Sequence, residues 1–393
     1  AHRGITVFRA NAAFHADETA PATSNHIVHL VPSPDQSDIL TYHKADVPEP
    51  SGPTMDLTAT NIVIATGAKP RPLPGNPFAG ALIDSTQALE VNEFPSSAVI
   101  IGAGAIALEF ASMWNAAGSK VTLLIRKDRV LSAWDRRAGT TLTRELKRHG
   151  VNIITRASVT HVDTGANLGA TVHYTREGQD GEQSVWGEIA LAAIGRDPIT
   201  DPAWGVTIDD HGHVATDAYG RTDKPGVWAV GDVTAGHALA HRAFEQGIVI
   251  AETIAGLNPK PVDEATVPQI VFSFPEAASV GLTVEQAQAR EDLIEIKETN
   301  YPMLANARML MSGTAGSLTI VSGCDAANPD TPRVLGVHMV SPMASDIIAE
   351  AEQLVGNHVP LADAARLVHP HPTFSETLGE ALLKADGRPL HTR

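Results

Sequence analysis

The segment His369-Pro370-His371-Pro372-Thr373-Phe374-Ser375-Glu376 sets two histidines, two prolines and a carboxylate close together near the C-terminus. Each proline fixes its own φ and pushes the residue before it toward extended geometry. His371 is therefore expected on a stiff backbone, with Glu376 five residues on and able to fold back toward it from the following turn. A carboxylate against an imidazole fixes the tautomer and stabilises the imidazolium, which makes a general base near neutral pH. The alternative is an exposed loop histidine, one of 17 in the chain. His369 is the weaker candidate. Its His-x-His spacing has no Asp or Cys partner at ligand distance in sequence, so no metal is expected there.

The elements that must position such chemistry begin with a βαβ pattern. Ala98–Ile101 is a short apolar strand, Ala105–Ala117 has helical periodicity ending at Gly118, and Lys120–Ile125 is the next strand. A second helix is expected over Arg136–His149, followed by a strand at Val151–Ile154. Between the first strand and helix lies Gly102-Ala103-Gly104-Ala105-Ile106-Ala107, a G-x-G-x-x-A run. The first glycine makes the tight turn and the second admits a pyrophosphate. The third small residue lets helix and strand pack, and the helix N-terminus attracts the anion. A dinucleotide is the expected ligand. Where a ribose-reading acid should end the second strand, the chain has Ile125, Arg126, Lys127 and Arg129 instead. Adjacent cations suit the 2′-phosphate of NADP(H), with a solvated basic turn as the alternative.

A third signal is Gly231-Asp232 after the strand Gly226–Val230, with a helix expected over Ala238–Ala255. A carboxylate there suits a sugar or ribityl hydroxyl, or equally a helix N-cap. Upstream, Ile5–Phe8 and His26–Val31 read as strands, Pro32–Pro53 as a polar surface loop, and Asn61–Gly67 as a buried strand ending in a small-residue turn. Pro70, Pro72, Pro74 and Gly75 form an extended connector. Composition shifts after Pro259-Lys260-Pro261, where the last domain boundary is expected.

Composition narrows the class. At 393 residues with 43% hydrophobic and 19% charged residues, the chain is an ordinary globular protein of several domains. A net charge of −16 and no basic run argue against nucleic acid and anionic membrane as partners. No apolar run approaches the roughly 18 residues of a membrane span, and no signal peptide is seen, so cytoplasmic residence is expected. The single cysteine, Cys324, lies in what reads as a turn-rich segment and is expected to be incidental.

Taken together these residues resemble the pyridine nucleotide–disulfide oxidoreductases, most like their dihydrolipoamide dehydrogenase branch. The likeness runs in the family's order through Ile64-Ala-Thr-Gly-Ala-Lys-Pro-Arg71, Gly102–Glu109, Ala193-Ile-Gly-Arg-Asp-Pro198, Val227–Val233, Ala238–Ala243 and the terminal His-Pro-Thr-Phe-Ser-Glu. Ala305–Arg308, Leu335–His338 and Pro342–Ser345 favour the dihydrolipoamide branch, whereas Leu124-Ile125-Arg126 looks like the NADPH-using members. The resemblance implies that Ala65, Thr66 and Gly67 lie against FAD. It implies that Asp232 holds the ribityl chain, and that Ala238, Leu239, Ala240 and His241 contact the flavin. It gives Gly102, Ala103, Gly104, Ala105, Ile106, Ala107, Leu108, Glu109, Arg126 and Gly195 to the nicotinamide cofactor. His371 becomes the base and Glu376 its orienting partner, in a homodimer whose base reaches the other subunit's site.

Departures accompany the likeness. The family's opening FAD-binding βαβ and its Cys-x4-Cys pair do not occur among these residues. On the order of a hundred residues, a domain-sized piece, is thus expected to be missing.

The expected fold is α/β: two Rossmann-like nucleotide-binding domains, the FAD one incomplete at its N-terminus, and a C-terminal α+β dimerisation domain. The domains are expected at 1–90 and 199–262 for FAD, 91–198 for NAD(P) and 263–393 for the interface. The expected function is electron transfer between NAD(P)(H), with NADP(H) favoured by Arg126, and a small dithiol/disulfide or lipoyl-protein substrate through FAD. The chain as given is expected to be inactive for want of the cysteine pair. An NADPH-dependent glutathione-, mycothione- or mercuric-type reductase and a flavin transhydrogenase are the alternatives within the class. Outside it stands an inactive truncated fragment that keeps dinucleotide binding and dimerisation.

Overall fold

The structure, a computed structural model, describes residues 4–6, 8, 10–14, 25–32, 55–165 and 169–392. The strand expected at Ile5–Phe8 falls only partly within them, and Gly4–Thr6 carry no regular structure. Beyond Pro32, which ends a strand, the loop expected to Pro53 lies outside the described residues. The chain forms two compact units, Ala1–Lys69 with Asp197–Val262, and Pro70–Arg196 with Asp263–Arg393.

In the first unit, Ala10–Phe14, His26–Pro32 and Met55–Ala59 make an antiparallel sheet in that order. Ile62–Ile64 and Val227–Ala229 form a parallel pair, with Ile64 opposite Ala229. Their apolar side chains share a core with Phe14, Trp204, Val206, Val214 and Val233, in which Phe14 stacks on Trp204 at 5.9 Å. The helix Ala240–Ile254 follows the second parallel strand.

The second unit contains a parallel sheet in the order Leu82–Ile83, Ile189–Ala192, Ser97–Ile101, Lys120–Leu124, Asn152–Ile154. Continuous apolar runs such as Ala98-Val-Ile-Ile101, all but unexposed, mark strands covered on both faces. The helices Ala105–Ala116 and Arg136–Arg148 cover the sheet; Asp135 caps the second through a 2.8 Å bond from the Ala138 amide. Leu82–Ile83 joins this sheet through its pairing with Ile189–Ala192, so residues 70–90 sit here and not with the first unit, where the sequence reading placed them. The connector prolines around Pro72 lack the amides to continue a strand, and the chain pairs again only past them.

The meander Ala157–Asp163, Ala170–Arg176, Gln183–Gly187 packs on the same core. A second, antiparallel sheet runs Gln269–Val271, Glu276–Gly281, Asn328–Ser341, Ser317–Asp325, Leu293–Tyr301, backed by the helices Ala344–Gly356 and Glu376–Ala385. Val271, Ala277 and Val340 enter the core that also holds Ile100, Leu108 and Trp114, which makes these segments one compact unit.

Cys324 corrects an expectation. It is not in a turn but within the strand Ser317–Asp325, fully buried. The turn residues that prompted the reading begin after Asp325, at the hairpin into Asn328. Among the described residues no helix is long and apolar enough to cross a membrane.

Candidate functional site

The C-terminal histidine site is built by the start of the helix Glu376–Ala385. Glu376 Oε1 meets His371 Nδ1 at 2.8 Å, and Oε2 accepts the Thr373 amide at 2.9 Å. The Thr373 hydroxyl accepts the Glu376 amide at 3.3 Å, so Thr373 and Glu376 satisfy one another as in a capping box. Asn306 donates to the Thr373 carbonyl at 3.2 Å and ties this turn to the antiparallel sheet's edge. Burial works to raise the Glu376 pKa, but the bonds from Thr373 and His371 outweigh it and hold the carboxyl below its ordinary value. The carboxylate is thus ionised wherever imidazole titrates. With Nδ1 engaged, the Nε2 of the 70% exposed His371 is left toward solvent as the proton acceptor.

His369 makes a separate pair. Its Nε2 lies 2.9 Å from Glu350 Oε1 on the helix Ala344–Gly356, and its ring packs where Gly379 leaves no room for a Cβ. The bond to Glu350 raises its pKa, with burial opposing. A raised histidine pKa stabilises the fold below the unfolded value of about 6.5 and ceases to as pH rises through the folded value. His369→Gln is therefore expected to cost about 1–2 kcal/mol at pH 5.5 and distinctly less at pH 9, read from denaturant melts at both pH values.

At the Gly-rich turn, Gly102 has φ +140° and a Cβ there would overlap the Ala193 backbone carbonyl. Its amide bonds the Leu124 carbonyl at 3.1 Å. Gly104, by contrast, faces open space and caps the helix Ala105–Ala116 without any side-chain bond, so the first helical amides point outward unoccupied by protein. This is the cradle that a pyrophosphate fits. Ala103, Ala105 and Ile106 are half-buried around it, and Gly195 lies near Arg71, whose amide donates to its carbonyl at 3.0 Å. Ala107 and Leu108 are fully buried, and Glu109 accepts the Phe272 amide at 3.0 Å. Ala107 and Leu108 thus pack behind the turn, and Glu109 braces the segment at Phe272.

Arg126 is exposed just past the strand Lys120–Leu124 and makes no hydrogen bond or ion pair among the described residues. Arg129 is instead held by Asp128 at 3.2 Å and the Ser132 carbonyl at 3.1 Å.

In the first unit, the parallel strands bring Ala65–Gly67 and Gly231–Asp232 to the same carboxyl end, where Val230 donates to the Ile64 carbonyl at 3.0 Å. Gly67 takes φ +70° with open space at its Cβ position, and the Thr66 hydroxyl is anchored to the Ile199 carbonyl at 2.6 Å. Asp232 sits half-buried in a 3₁₀ turn. Ala238 and Leu239 precede the helix Ala240–Ile254, so they and His241 line its N-terminus, which has no side-chain cap. Small residues, a carboxylate and outward amides at strand ends fit a ribityl chain and phosphate.

Sequence reasoning missed Glu350 and Thr373. Nothing local announces Glu350, which reaches His369 from another helix. For Thr373 the Thr-x-x-Glu spacing to Glu376 was the available signal.

Comparison with known proteins agrees with this arrangement. Residues 23–247 match the pyridine nucleotide-disulphide oxidoreductase family and residues 267–382 its dimerisation domain. The chain is 37% identical over 341 residues to a dihydrolipoyl dehydrogenase of Cupriavidus necator, covering 85% of this chain and 70% of that protein. It is 36% identical to one of Bacillus subtilis over the same shares. LpdA from Mycobacterium tuberculosis superposes with a TM-score of 0.78 at 26% identity, covering 95% of this chain and 76% of that one.

Proposed function

This chain belongs to the pyridine nucleotide-disulphide oxidoreductase family, whose chemistry uses FAD and NAD(P)(H), and we propose that its substrate is a dithiol of the dihydrolipoyl kind. The overall reaction converts dithiol and NAD(P)+ to disulfide, NAD(P)H and a proton. The observation that carries the reading is the His371–Glu376 pair, a base with a fixed tautomer and a solvent-facing Nε2.

Each residue's role follows from its surroundings. Nε2 of His371 takes a thiol proton, since the thiolate is the species that attacks a disulfide. Glu376 holds the resulting imidazolium and keeps Nδ1–H pointed at itself. In the dimer that the dimerisation domain implies, His371 serves the partner subunit's site. Gly102, Gly104, Ala105 and Ile106 hold the dinucleotide phosphates, with Gly195 nearby. Ala65, Thr66, Gly67, Asp232 and the helix start at Ala238–His241 hold the flavin. When bound, FAD supplies the two-electron relay between thiols and nicotinamide. Residues 1–69 and 197–262 are accordingly the flavin-binding part and 267–382 the interface. The one cysteine, Cys324, is buried in a strand, so the dithiol relay is not furnished by these 393 residues.

The deciding experiment is on the product of the complete gene: dihydrolipoamide oxidation with NAD+ and NADP+, against reduction of glutathione disulfide. Turnover of the second and not the first would overturn the substrate assignment. Arg126, without a hydrogen bond or ion pair among the described residues, supports a 2′-phosphate contact. A charged hydrogen bond of about 1.5–3 kcal/mol corresponds to roughly 10–100-fold in affinity. Arg126→Glu should therefore move the NADPH-to-NADH preference that far toward NADH, measured by quenching of nucleotide fluorescence. An unchanged ratio would return Arg126 to the status of a solvated surface cation.

A further inference from the structure

The meander Ala157–Asp163, Ala170–Arg176, Gln183–Gly187 carries a side-chain cluster that no role above uses. His161 and His173 are directly opposed across the antiparallel pair and so share one face of the sheet. Their rings stack with centroids 4.0 Å apart and planes 9° from parallel. Glu182, just before the third strand, stands 3.8 Å from His161 Nδ1 and 3.6 Å from His173 Nδ1. On the other edge of the stack, Asp163 lies 3.1 Å from His173 Nε2 and 3.9 Å from His161 Nε2.

The backbone builds this arrangement. The pairing register shifts between Val159 and His161, the mark of a bulge, and Thr160 beside it donates its hydroxyl to Glu182 Oε1 at 2.6 Å. Glu182 is thereby held toward the two Nδ1 atoms. The three side chains each offer one ligand atom, and these atoms all lie within 4.8 Å of one another. A tetrahedral ion with bonds of about 2.1 Å wants its ligand atoms roughly 3.4 Å apart, so binding requires the two stacked rings to tilt until both Nδ1 lone pairs point at the ion.

We propose that His161, His173 and Glu182 bind a divalent transition-metal ion of the zinc type. Two imidazoles and one carboxylate are the donor set that such an ion takes in preference to calcium or magnesium. Asp163 supports the site in the way histidine ligands require: at 3.1 Å it accepts the Nε2–H of His173, which leaves the Nδ1 lone pair of that ring for the ion. The sequence reading expected no metal. It weighed the His-x-His near the C-terminus, whereas these ligands come from two strands and the residue that precedes a third. Bound there, the ion would cross-link all three strands of the meander.

The test is titration of the untagged, chelator-treated chain with Zn2+ by calorimetry. One ion per chain is expected. His161→Asn and His173→Asn should each weaken uptake by at least about tenfold. Asp163→Asn and Thr160→Val, which touch only the ligands, should each weaken it roughly 10–100-fold. His29→Asn is the control: that histidine also sits by a carboxylate, Asp56 at 2.6 Å, but has no second imidazole beside it. Cu2+ substituted for Zn2+ should show electron paramagnetic coupling to two imidazole nitrogens in the parent and one in each single variant. Because the four cluster side chains are partly or largely exposed, the metal-free variants should melt with the parent, which separates lost binding from lost folding. Absence of zinc uptake by the parent, or uptake that survives the His161→Asn/His173→Asn double variant, would overturn the proposal. The cluster would then be only a pair of histidine–carboxylate contacts.

Discussion

His371→Gln is expected to lower dihydrolipoamide oxidation by the complete gene product roughly 10²–10⁴-fold, the usual worth of a positioned acid–base group. Its side chain is 70% exposed, so stability should stay within about 0.5 kcal/mol of the parent. Glu376→Gln should act differently. The neutral amide neither stabilises the imidazolium nor fixes the tautomer, so the maximal rate should fall. Glu376→Gln also removes the charge from the group that accepts the Thr373 amide, and an anion held below its ordinary pKa stabilises the fold at neutral pH but not once pH falls through its folded value. The stability lost in Glu376→Gln should therefore be present at pH 7 and fade as pH falls from the ordinary glutamate range through the lowered folded value. Steady-state pH profiles of the two variants, with melts across that pH range, separate chemistry from folding. A parent-like rate in His371→Gln would remove the histidine from the reaction.

The second large effect lies at the Gly-rich turn, where two glycines two residues apart should behave oppositely. Gly102→Ala places a Cβ against the Ala193 carbonyl on a backbone at φ +140°, and neither neighbour is a flexible side-chain end. A cost of about 2–4 kcal/mol is expected, with nucleotide binding lost alongside. Gly104→Ala meets nothing within 4 Å on an extended backbone, so the fold should be unchanged or firmer by up to about 1 kcal/mol. Its methyl group nevertheless stands where a pyrophosphate must approach the helix amides, and NADPH affinity should fall by about tenfold or more. Thermal melts paired with nucleotide titrations test both. Unimpaired NADPH binding by Gly104→Ala would show that the cradle is not used.

Much of this was legible in the chain because it is local. The strand–turn–helix around Gly102 has its own period and its own glycines, and Glu376 lies within one turn of His371. Helix ends at Ala116 and Arg148 fell within a residue of the expected Ala117, before Gly118, and His149. What escaped depends on register or on distant packing. Glu350 meets His369 only through tertiary packing, with the His369 ring seated against Gly379 of the helix Glu376–Ala385. His161 faces His173 only because a bulge resets the pairing, and Glu182 joins them from the turn just before a third strand. Cys324 was misread because a turn signal two residues downstream looked continuous with a strand that in fact extends to Asp325.

Cys324 has a practical side. Its thiol is fully buried, and that burial pushes its pKa up, so it stays protonated and shielded from alkylating reagents. The polypeptide is thus by nature silent toward maleimide dyes and spin labels. A single cysteine introduced at an exposed position, for instance in place of Ser158, would be the one site to react. Distance measurements within the chain, or between two copies in a dimer, could proceed without first stripping native thiols.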